Sequence, residues 1–229
     1  MARLPRLSLA RVAHLLVLRG HNGETVFHDD EDRGAFLAAL QTAFEREQVA
    51  LHAYALLFDR AWLLCTPAQD QGLSRAMQSV GRRFAAAFNR RYSRSGSLWD
   101  GRFRSTVVEP GRTLLEAMIF VDQLQADPID SADRVPSQRS SARQHLGSDG
   151  SMQLKDIEEY WALGNTPFER ATAYRALLTG ESFHRSEVER ITAAAQRGWA
   201  LGSSDFIETL QVRTARPLRP RPKGRPRSV

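Results

Sequence analysis

The chain has 229 residues, of which 42% are hydrophobic, so it is long enough for one domain with a smaller appended region. It contains no run of eighteen apolar residues, which argues against a membrane span, and its single cysteine excludes a disulfide framework or a cysteine-based metal cluster. We therefore expect a protein of the reducing cytoplasm that has no membrane partner.

The net charge of +6 is unevenly distributed along the chain. The last seventeen residues, 213–229, hold seven basic residues and no acidic one, and the segment 71–106 holds eight arginines and a single acid, Asp100. A charged segment is often only a solvated surface. Because both segments are rich in arginine and the guanidinium fork matches phosphate geometry, they favour nucleic acid as the partner.

Hydrophobic periodicity predicts seven elements in the first half of the chain. In order they are strand 12–19, helix 31–48, strand 50–58, strand 61–66, helix 71–92, strand 103–109 and helix 112–125. This order is typical of an α+β domain with a ferredoxin-like βαββαβ sheet and one extra helix. We expect this domain to cover residues 1–128.

The second half of the chain shows no strand pattern of the kind found in the first half. A polar connector is expected over 129–154, followed by a small helical appendage over 155–212 and a disordered basic Arg/Pro tail over 213–229. The predicted helices of the appendage lie near 155–163, 167–179, 185–197 and 203–211.

Several stretches carry a resemblance to a known family. They are RGHNGETVFHDDEDRGAFLAAL, LHAYALL and MQSVGRRFAAAFNRRYSRSGSLWDGRFRSTVVE, and later LGNTPFERATAYRALL, RGWALGSSDFIETL and RPRPKGRPR. On these stretches the chain resembles the IS200-like tyrosine transposases, most closely their REP-associated branch. The resemblance implies a ferredoxin-like fold and an ancestry in DNA transposition. It also implies DNA as the partner, single-stranded or as a hairpin, and a homodimer, since members often work as dimers.

The positions that carry chemistry in that family differ in this chain. Members are similar in using two histidines two apart on a strand to bind Mg²⁺ or Mn²⁺, a tyrosine to attack a DNA phosphate, and a helper amide. Aligned on the motifs, these positions fall on Arg60, Trp62, Phe120 and Leu124. A guanidinium repels a cation, an indole offers no lone pair, and phenylalanine has no nucleophilic oxygen. The resemblance therefore implies a DNA-binding relative that has lost strand cleavage and needs no metal cofactor.

The same resemblance and the arginine pattern select candidate DNA-binding residues, although a solvated surface remains the alternative. These candidates are Arg82, Arg83, Asn89, Arg90, Arg91, Tyr92, Trp99, Arg102 and Arg104, and in the tail Arg219, Arg221, Lys223 and Arg225. Three other functions stay open: a transposase that still cleaves through other residues, an RNA-binding regulator, and a remnant without a partner.

Individual residues also allow two interpretations each. Trp62 either packs into the space of the former site, which we favour, or stacks on a base; Arg60 is a candidate phosphate ligand. His14 and His52 form either a relocated metal site or, as we favour, two ordinary sheet histidines. Trp99 either contacts nucleic acid or anchors its loop to the core.

Overall fold

The computed structural model describes residues 8–124, 139–150, 152–180 and 185–220. Its first half contains the predicted elements in the predicted order. They are β1 (Ala13–Arg19), α1 (Asp30–Arg46), β2 (Val49–Leu57), β3 (Arg60–Pro67), α2 (Gly72–Arg91), β4 (Arg104–Val108) and α3 (Arg112–Gln123). None of the helices in these ranges combines the length and the apolar character that crossing a membrane requires.

The four strands form one antiparallel sheet in the order β2-β3-β1-β4. Strand β1 lies in the middle, with His14 opposite Cys65 of β3 on one side and opposite Val107 of β4 on the other. Strand β3 separates β1 from β2, as a split βαβ unit requires. The predicted ferredoxin-like α+β fold is therefore confirmed.

Helices α1 and α2 cover one face of the sheet. Asp29 precedes helix α1, and its carboxylate accepts a hydrogen bond from the Asp32 backbone N–H at 3.0 Å and so caps the helix. Apolar side chains of both helices, such as Phe36 and Phe84, are buried with Leu16 and Leu63 of the sheet in one core cluster. Alternate strand residues point to opposite faces, so the other half of each strand needs its own cover.

The second face is covered by α3 and by the helices that follow it. These are α4 (Ala142–His145), α5 (Glu158–Trp161), α6 (Pro167–Thr179) and α7 (Arg185–Arg197), whereas α8 (Ser204–Gln211) packs through Leu210 against Val107 of β4 in a separate cluster. Leu15 and Leu64 of the sheet share a second core cluster with Phe120 of α3, Tyr174 of α6 and Ile191 of α7. The helices of the appendage thus complete the core of the sheet rather than forming a separate unit.

Part of the predicted connector 129–154 is also integrated into the domain. Residues 139–141 pair with the outer edge of β2: the Leu56 N–H donates to the Arg139 carbonyl at 2.7 Å, and the Ser141 N–H donates to the Tyr54 carbonyl at 3.0 Å. These bonds satisfy an edge that would otherwise be unpaired. The polar composition that predicts a loose loop here reflects buried hydrogen bonding instead.

The start of the predicted disordered tail is also ordered. Leu218 is fully buried beside Leu210 and Val107, and the Ala200 N–H donates to its carbonyl at 2.8 Å. The prediction of disorder from residue 213 is therefore wrong up to residue 220, because Leu218 is buried and Gln211 Nε2 donates to the Thr214 and Arg216 carbonyls at 2.9 Å. Residues 221–229 lie outside the described part of the chain.

Candidate functional site

The two positions that the motif resemblance aligns with the family's tyrosine and with one of its metal ligands meet in the core. Trp62 on β3 and Phe120 on α3 contact edge to face, with ring centroids 5.2 Å apart and an interplanar angle of 81°. Their exposed fractions are only 4% and 2%, and Leu124 packs against the same cluster. The structure thus favours packing as the role of Trp62, because its ring has no face open to a base.

Arg60, which the resemblance aligns with the other metal ligand of the family, has its guanidinium paired with a carboxylate. Its Nε and Nη2 donate to the two carboxylate oxygens of Asp59 at 2.7 and 2.6 Å. This bidentate pair raises the pKa of Arg60 above its ordinary value. A cationic side chain and a buried indole do not fit a divalent metal ion, so no catalytic step can be derived through a metal here. The pairing with Asp59 also competes with the phosphate-binding role considered for Arg60.

The four tyrosines of the chain are all held by the fold. Tyr54 is buried in the first core cluster, and the Tyr160 hydroxyl donates to the His145 carbonyl at 2.7 Å. The Tyr174 hydroxyl donates to Asp122, and burial raises its pKa well above the ordinary value. Tyr92 donates to a carboxylate of α1, and burial is the main reason that its pKa rises to about 12. A raised pKa disfavours the phenolate, so none of them resembles an activated nucleophile.

The two sheet histidines make ordinary hydrogen bonds. His14 Nδ1 donates to the Val12 carbonyl at 2.7 Å while the Leu9 N–H donates to Nε2, and burial lowers the pKa of His14 to about 4. His52 Nδ1 donates to the Lys155 carbonyl at 2.6 Å, and burial lowers its pKa as well. Over the described ranges, no three His, Cys, Asp or Glu side chains are grouped to hold a metal ion. The geometry favours the ordinary interpretation of both histidines.

Four of the exposed candidate DNA-binding arginines form no side-chain ion pair or hydrogen bond within the described residues. Arg82, Arg83 and Arg90 lie on α2, and Arg102 lies in the loop before β4. Within the described residues, none of these four forms an ion pair with a carboxylate. Exposed guanidinium groups without an internal ion pair leave positive charge available to an external anion.

The neighbouring candidates on α2 are engaged inside the molecule. Arg91 pairs with Asp29, Glu31 and Asp32 at 2.6 to 2.9 Å, which raises its pKa. Tyr92 donates to Asp32 at 2.9 Å. These bonds join the end of α2 to the start of α1, so both side chains have a structural role that their position in an arginine-rich segment does not reveal.

The remaining candidates differ in their surroundings. Asn89 Nδ2 donates to the Gly96 carbonyl at 3.0 Å and holds the loop after α2, while Arg104 donates to the Gln196 carbonyl. Arg219 lies 3.6 Å from Glu208. Three candidates lie outside the described residues, namely Arg221, Lys223 and Arg225.

Trp99 anchors the loop that precedes β4. Its ring packs at centroid distances of 5.8 to 6.4 Å from Phe27, Phe36 and Phe84, which supports the core-anchor interpretation. One edge of the indole also lines a cavity of about 490 Å³ between α2, the end of β1 and this loop. The lining includes Leu18, Arg19, Ser74, Met77, Gln78, Gly81, Arg82, Asp100, Arg102 and Phe103. The sequence does not predict this cavity.

Comparisons with known proteins place this geometry in context. No protein-family model and no curated protein matches the chain. Among solved structures, it is similar to the "REP associates tyrosine transposase bound to a REP hairpin", with a TM-score of 0.51 and 11% identity over 69% of this chain and 96% of that one. A "putative transposase from deinococcus radiodurans r1" gives a TM-score of 0.37 and 18% identity over 48% of this chain and 88% of that one. The chain therefore shares the fold of a REP-associated tyrosine transposase, and the resemblance in its motifs is confirmed at the level of the fold.

Proposed function

We propose that this protein is a DNA-binding relative of the REP-associated tyrosine transposases that binds a DNA hairpin or single strand and does not cut it. The observation that carries the proposal is the surface of Arg82, Arg83, Arg90 and Arg102, four exposed arginines without a carboxylate partner in the described ranges. The similar transposase was solved bound to a REP hairpin, which supports DNA as the ligand class.

The spacing of these arginines suits a nucleic-acid backbone. Arg83 and Arg90 are seven residues apart on α2, which is about two turns or roughly 10 Å along the helix axis. Guanidinium groups at this separation can contact different phosphates of one strand. Such contacts give affinity and position without base specificity, and they release counterions from the DNA.

The proposed loss of cleavage rests on the contact between Trp62 and Phe120. Two interlocking aromatic rings occupy the positions of a former metal ligand and the former nucleophile, and Asp59 holds the guanidinium of Arg60 at the second metal position. All four tyrosine hydroxyls are buried, bonded or both. In this proposal the chain keeps a DNA-binding surface but lacks the reactive groups of a transposase. We also propose that it acts in the cytoplasm.

A matched pair of double variants tests the binding surface. Arg82→Ala/Arg83→Ala is compared with Arg112→Ala/Arg185→Ala, which removes the same charge from side chains that are 89% and 93% exposed elsewhere. Fluorescence anisotropy with a labelled DNA hairpin is measured between about 50 and 200 mM salt. We expect the first variant to bind more weakly and to reduce the slope of log K against log salt by about 1 for each phosphate that it no longer neutralises. Equal losses in both variants would contradict a localised surface, and tighter binding of a matched RNA hairpin would favour an RNA-binding regulator.

A further inference from the structure

We infer that a cleft at one end of the sheet binds a small zwitterion, either a free amino acid or a short peptide. This sheet-end cleft lies where β2 begins and β3 ends, beside the first turns of α3 and α5. Its volume of about 490 Å³ falls within the roughly 300–1,000 Å³ of small-ligand sites. Arg60 lies at the opposite end of β3, roughly 20 Å away by the rise of an extended strand, so the cleft is separate from the candidate site.

Charged side chains of both signs surround the sheet-end cleft without pairing. Arg11 and Lys155 supply two cations, and Asp156 and Glu158 supply two carboxylates. Within the described residues, none of these four side chains forms an ion pair or a side-chain hydrogen bond. Opposite charges that line one small space without neutralising each other match a ligand that bears both signs. The Arg11 guanidinium suits a carboxylate of that ligand, and the two carboxylates suit its ammonium.

The carboxylates also separate this cleft from the proposed DNA-binding surface. Asp156, Glu158 and Glu159 all line the cleft, and Glu159 accepts a hydrogen bond from the Gly111 N–H. Three carboxylates against two cations repel the phosphates of a nucleic acid. A DNA strand bound at the arginines of α2 would therefore not extend into the cleft, and the inference is independent of the proposed function.

A hydrogen bond to His52 makes Thr66 an acceptor in the wall of the cleft. His52 Nδ1 donates to the Lys155 carbonyl at 2.6 Å, because a carbonyl oxygen only accepts. Burial lowers the pKa of His52, so the ring is neutral at pH 7 and Nε2 keeps its lone pair. The Thr66 hydroxyl, which lines the cleft, therefore donates to Nε2 at 2.8 Å, and its remaining lone pairs can accept from a ligand. An ammonium group is a donor of the required kind.

Apolar side chains form the rest of the wall. Pro67, Pro110, Leu114 and Ile157 line the cleft. Small-ligand sites combine such apolar walls with a few polar groups that fix the orientation of the ligand. A zwitterion with an apolar body, as in an apolar amino acid or dipeptide, would therefore fill the cleft better than a bare ion.

The backbone at Arg11 adopts a conformation that favours glycine. Its φ is 60°, in the left-handed region where a side chain is strained. The Arg11 N–H donates to the Pro67 carbonyl at 2.8 Å, which holds this turn beside the end of β3. An arginine at a position where glycine would fold with less strain indicates that its side chain has a use, and the cleft is the space that it lines.

A ligand screen of the full chain tests the inference. The free amino acids and a set of apolar dipeptides are added singly at millimolar concentration in a thermal-shift assay, and the strongest binder is titrated by calorimetry. We expect at least one of these zwitterions to bind. Its N-acetylated form lacks the cation and its C-terminal amide lacks the anion, so each blocked form should bind at least about tenfold more weakly.

Two variants with matched controls locate the binding. Arg11→Gly removes the guanidinium where the backbone suits glycine, and Ser93→Gly, at a φ of 49°, introduces glycine outside the cleft. Asp156→Asn removes a carboxylate of the lining, and Asp149→Asn removes an exposed one elsewhere. We expect both cleft variants to bind the zwitterion at least about tenfold more weakly, with unfolding midpoints no lower than that of the wild type. Both controls should bind as the wild type does.

Every outcome decides for or against the cleft. The tighter-binding class identifies the source of the ligand, a free amino acid or a short peptide, and either result supports the site. The assignment is wrong if no zwitterion binds, or if the blocked forms bind as tightly as the parent molecule. It is also wrong if Arg11→Gly and Asp156→Asn keep the wild-type affinity.

Discussion

Trp62 and Phe120 contact each other edge to face, with their ring centroids 5.2 Å apart. One side chain comes from the central part of the sheet and the other from α3, so their contact fixes the helix on the second face. Edge-to-face pairs of this kind contribute about 0.5–1.5 kcal/mol beyond the area that they bury. The motif resemblance aligns these same two positions with a metal ligand and with the tyrosine of the family.

Phe120→Ala tests how much stability this packing supplies. Removing a phenyl ring from a well-packed core leaves a cavity, so we expect a loss of about 3–5 kcal/mol in the free energy of unfolding. Urea denaturation measures the change. Phe58→Ala is the control, because Phe58 is 61% exposed and its removal should change stability by less than about 0.5 kcal/mol. Equal effects of the two substitutions would contradict the packing role.

Adjacent arginines at the end of α2 should behave in opposite ways. Arg91 bridges three carboxylates of α1, whereas Arg90 is exposed and has no carboxylate partner in the described ranges. We expect Arg91→Ala to lower the thermal unfolding midpoint by several degrees, because it leaves the buried Asp32 without its cation. Arg90→Ala should leave the midpoint unchanged and weaken DNA binding. Calorimetry measures the unfolding midpoint and anisotropy measures DNA binding for both variants. A lower midpoint for Arg90→Ala, or weaker binding only for Arg91→Ala, would contradict these roles.

Acid should destabilise the fold partly through His14. Burial lowers the pKa of His14 from 6.5 to about 4 in the folded chain, so the unfolded chain binds a proton first as the pH falls. The contribution of His14 to the free energy of unfolding is fully present above about pH 6.5 and is lost progressively as the pH falls to about 4. This contribution is at most about 3 kcal/mol. Urea midpoints across this range should fall for the wild type. The His14→Asn variant should be less stable at neutral pH, and its urea midpoint should depend less steeply on pH. An unchanged dependence of the midpoint on pH would contradict the role given to His14.

The buried carboxylate of Asp122 joins α3 to the rest of the second face. It accepts hydrogen bonds from Ser141 Oγ at 2.5 Å, His145 Nδ1 at 2.6 Å and Tyr174 Oη at 2.7 Å. Asp122→Asn presents an amide N–H₂ to these donors, so we expect a loss of about 3 kcal/mol or more in denaturation experiments. The exposed Asp149→Asn serves as the control and should be nearly neutral. A stable Asp122→Asn variant would show that the network does not hold α3 in place.

Much of the fold follows from local patterns in the sequence. The alternation in β1 and β3 and the periodicity of α1 and α2 are local signals, and both give nearly the observed boundaries. The role of the segment after α3 does not follow, because Ser141 and His145 are polar and read as loop residues until Asp122 is seen beside them. Long-range hydrogen bonds leave no periodic trace in a single sequence.

The candidate site was predictable to a similar extent. The motifs align Arg60, Trp62 and Phe120 with chemical positions of the family, and the structure brings Trp62 and Phe120 into contact. Which arginines are available was not predictable, because Arg90 and Arg91 are neighbours in the chain and only one of them meets the acidic start of α1. The cavity beside Trp99 also has no sequence signal, since its lining comes from three separate segments.

The central claim is that this chain binds DNA and does not react with it. The most direct measurement incubates the full chain with a labelled DNA hairpin and Mg²⁺ or Mn²⁺ at two salt concentrations, and resolves each sample on native and denaturing gels. We predict a native shift that weakens with salt, with no covalent adduct and no cut strand on the denaturing gel. A metal-dependent adduct or cleavage product would contradict the account and would mean that one of the four held tyrosines is released to react.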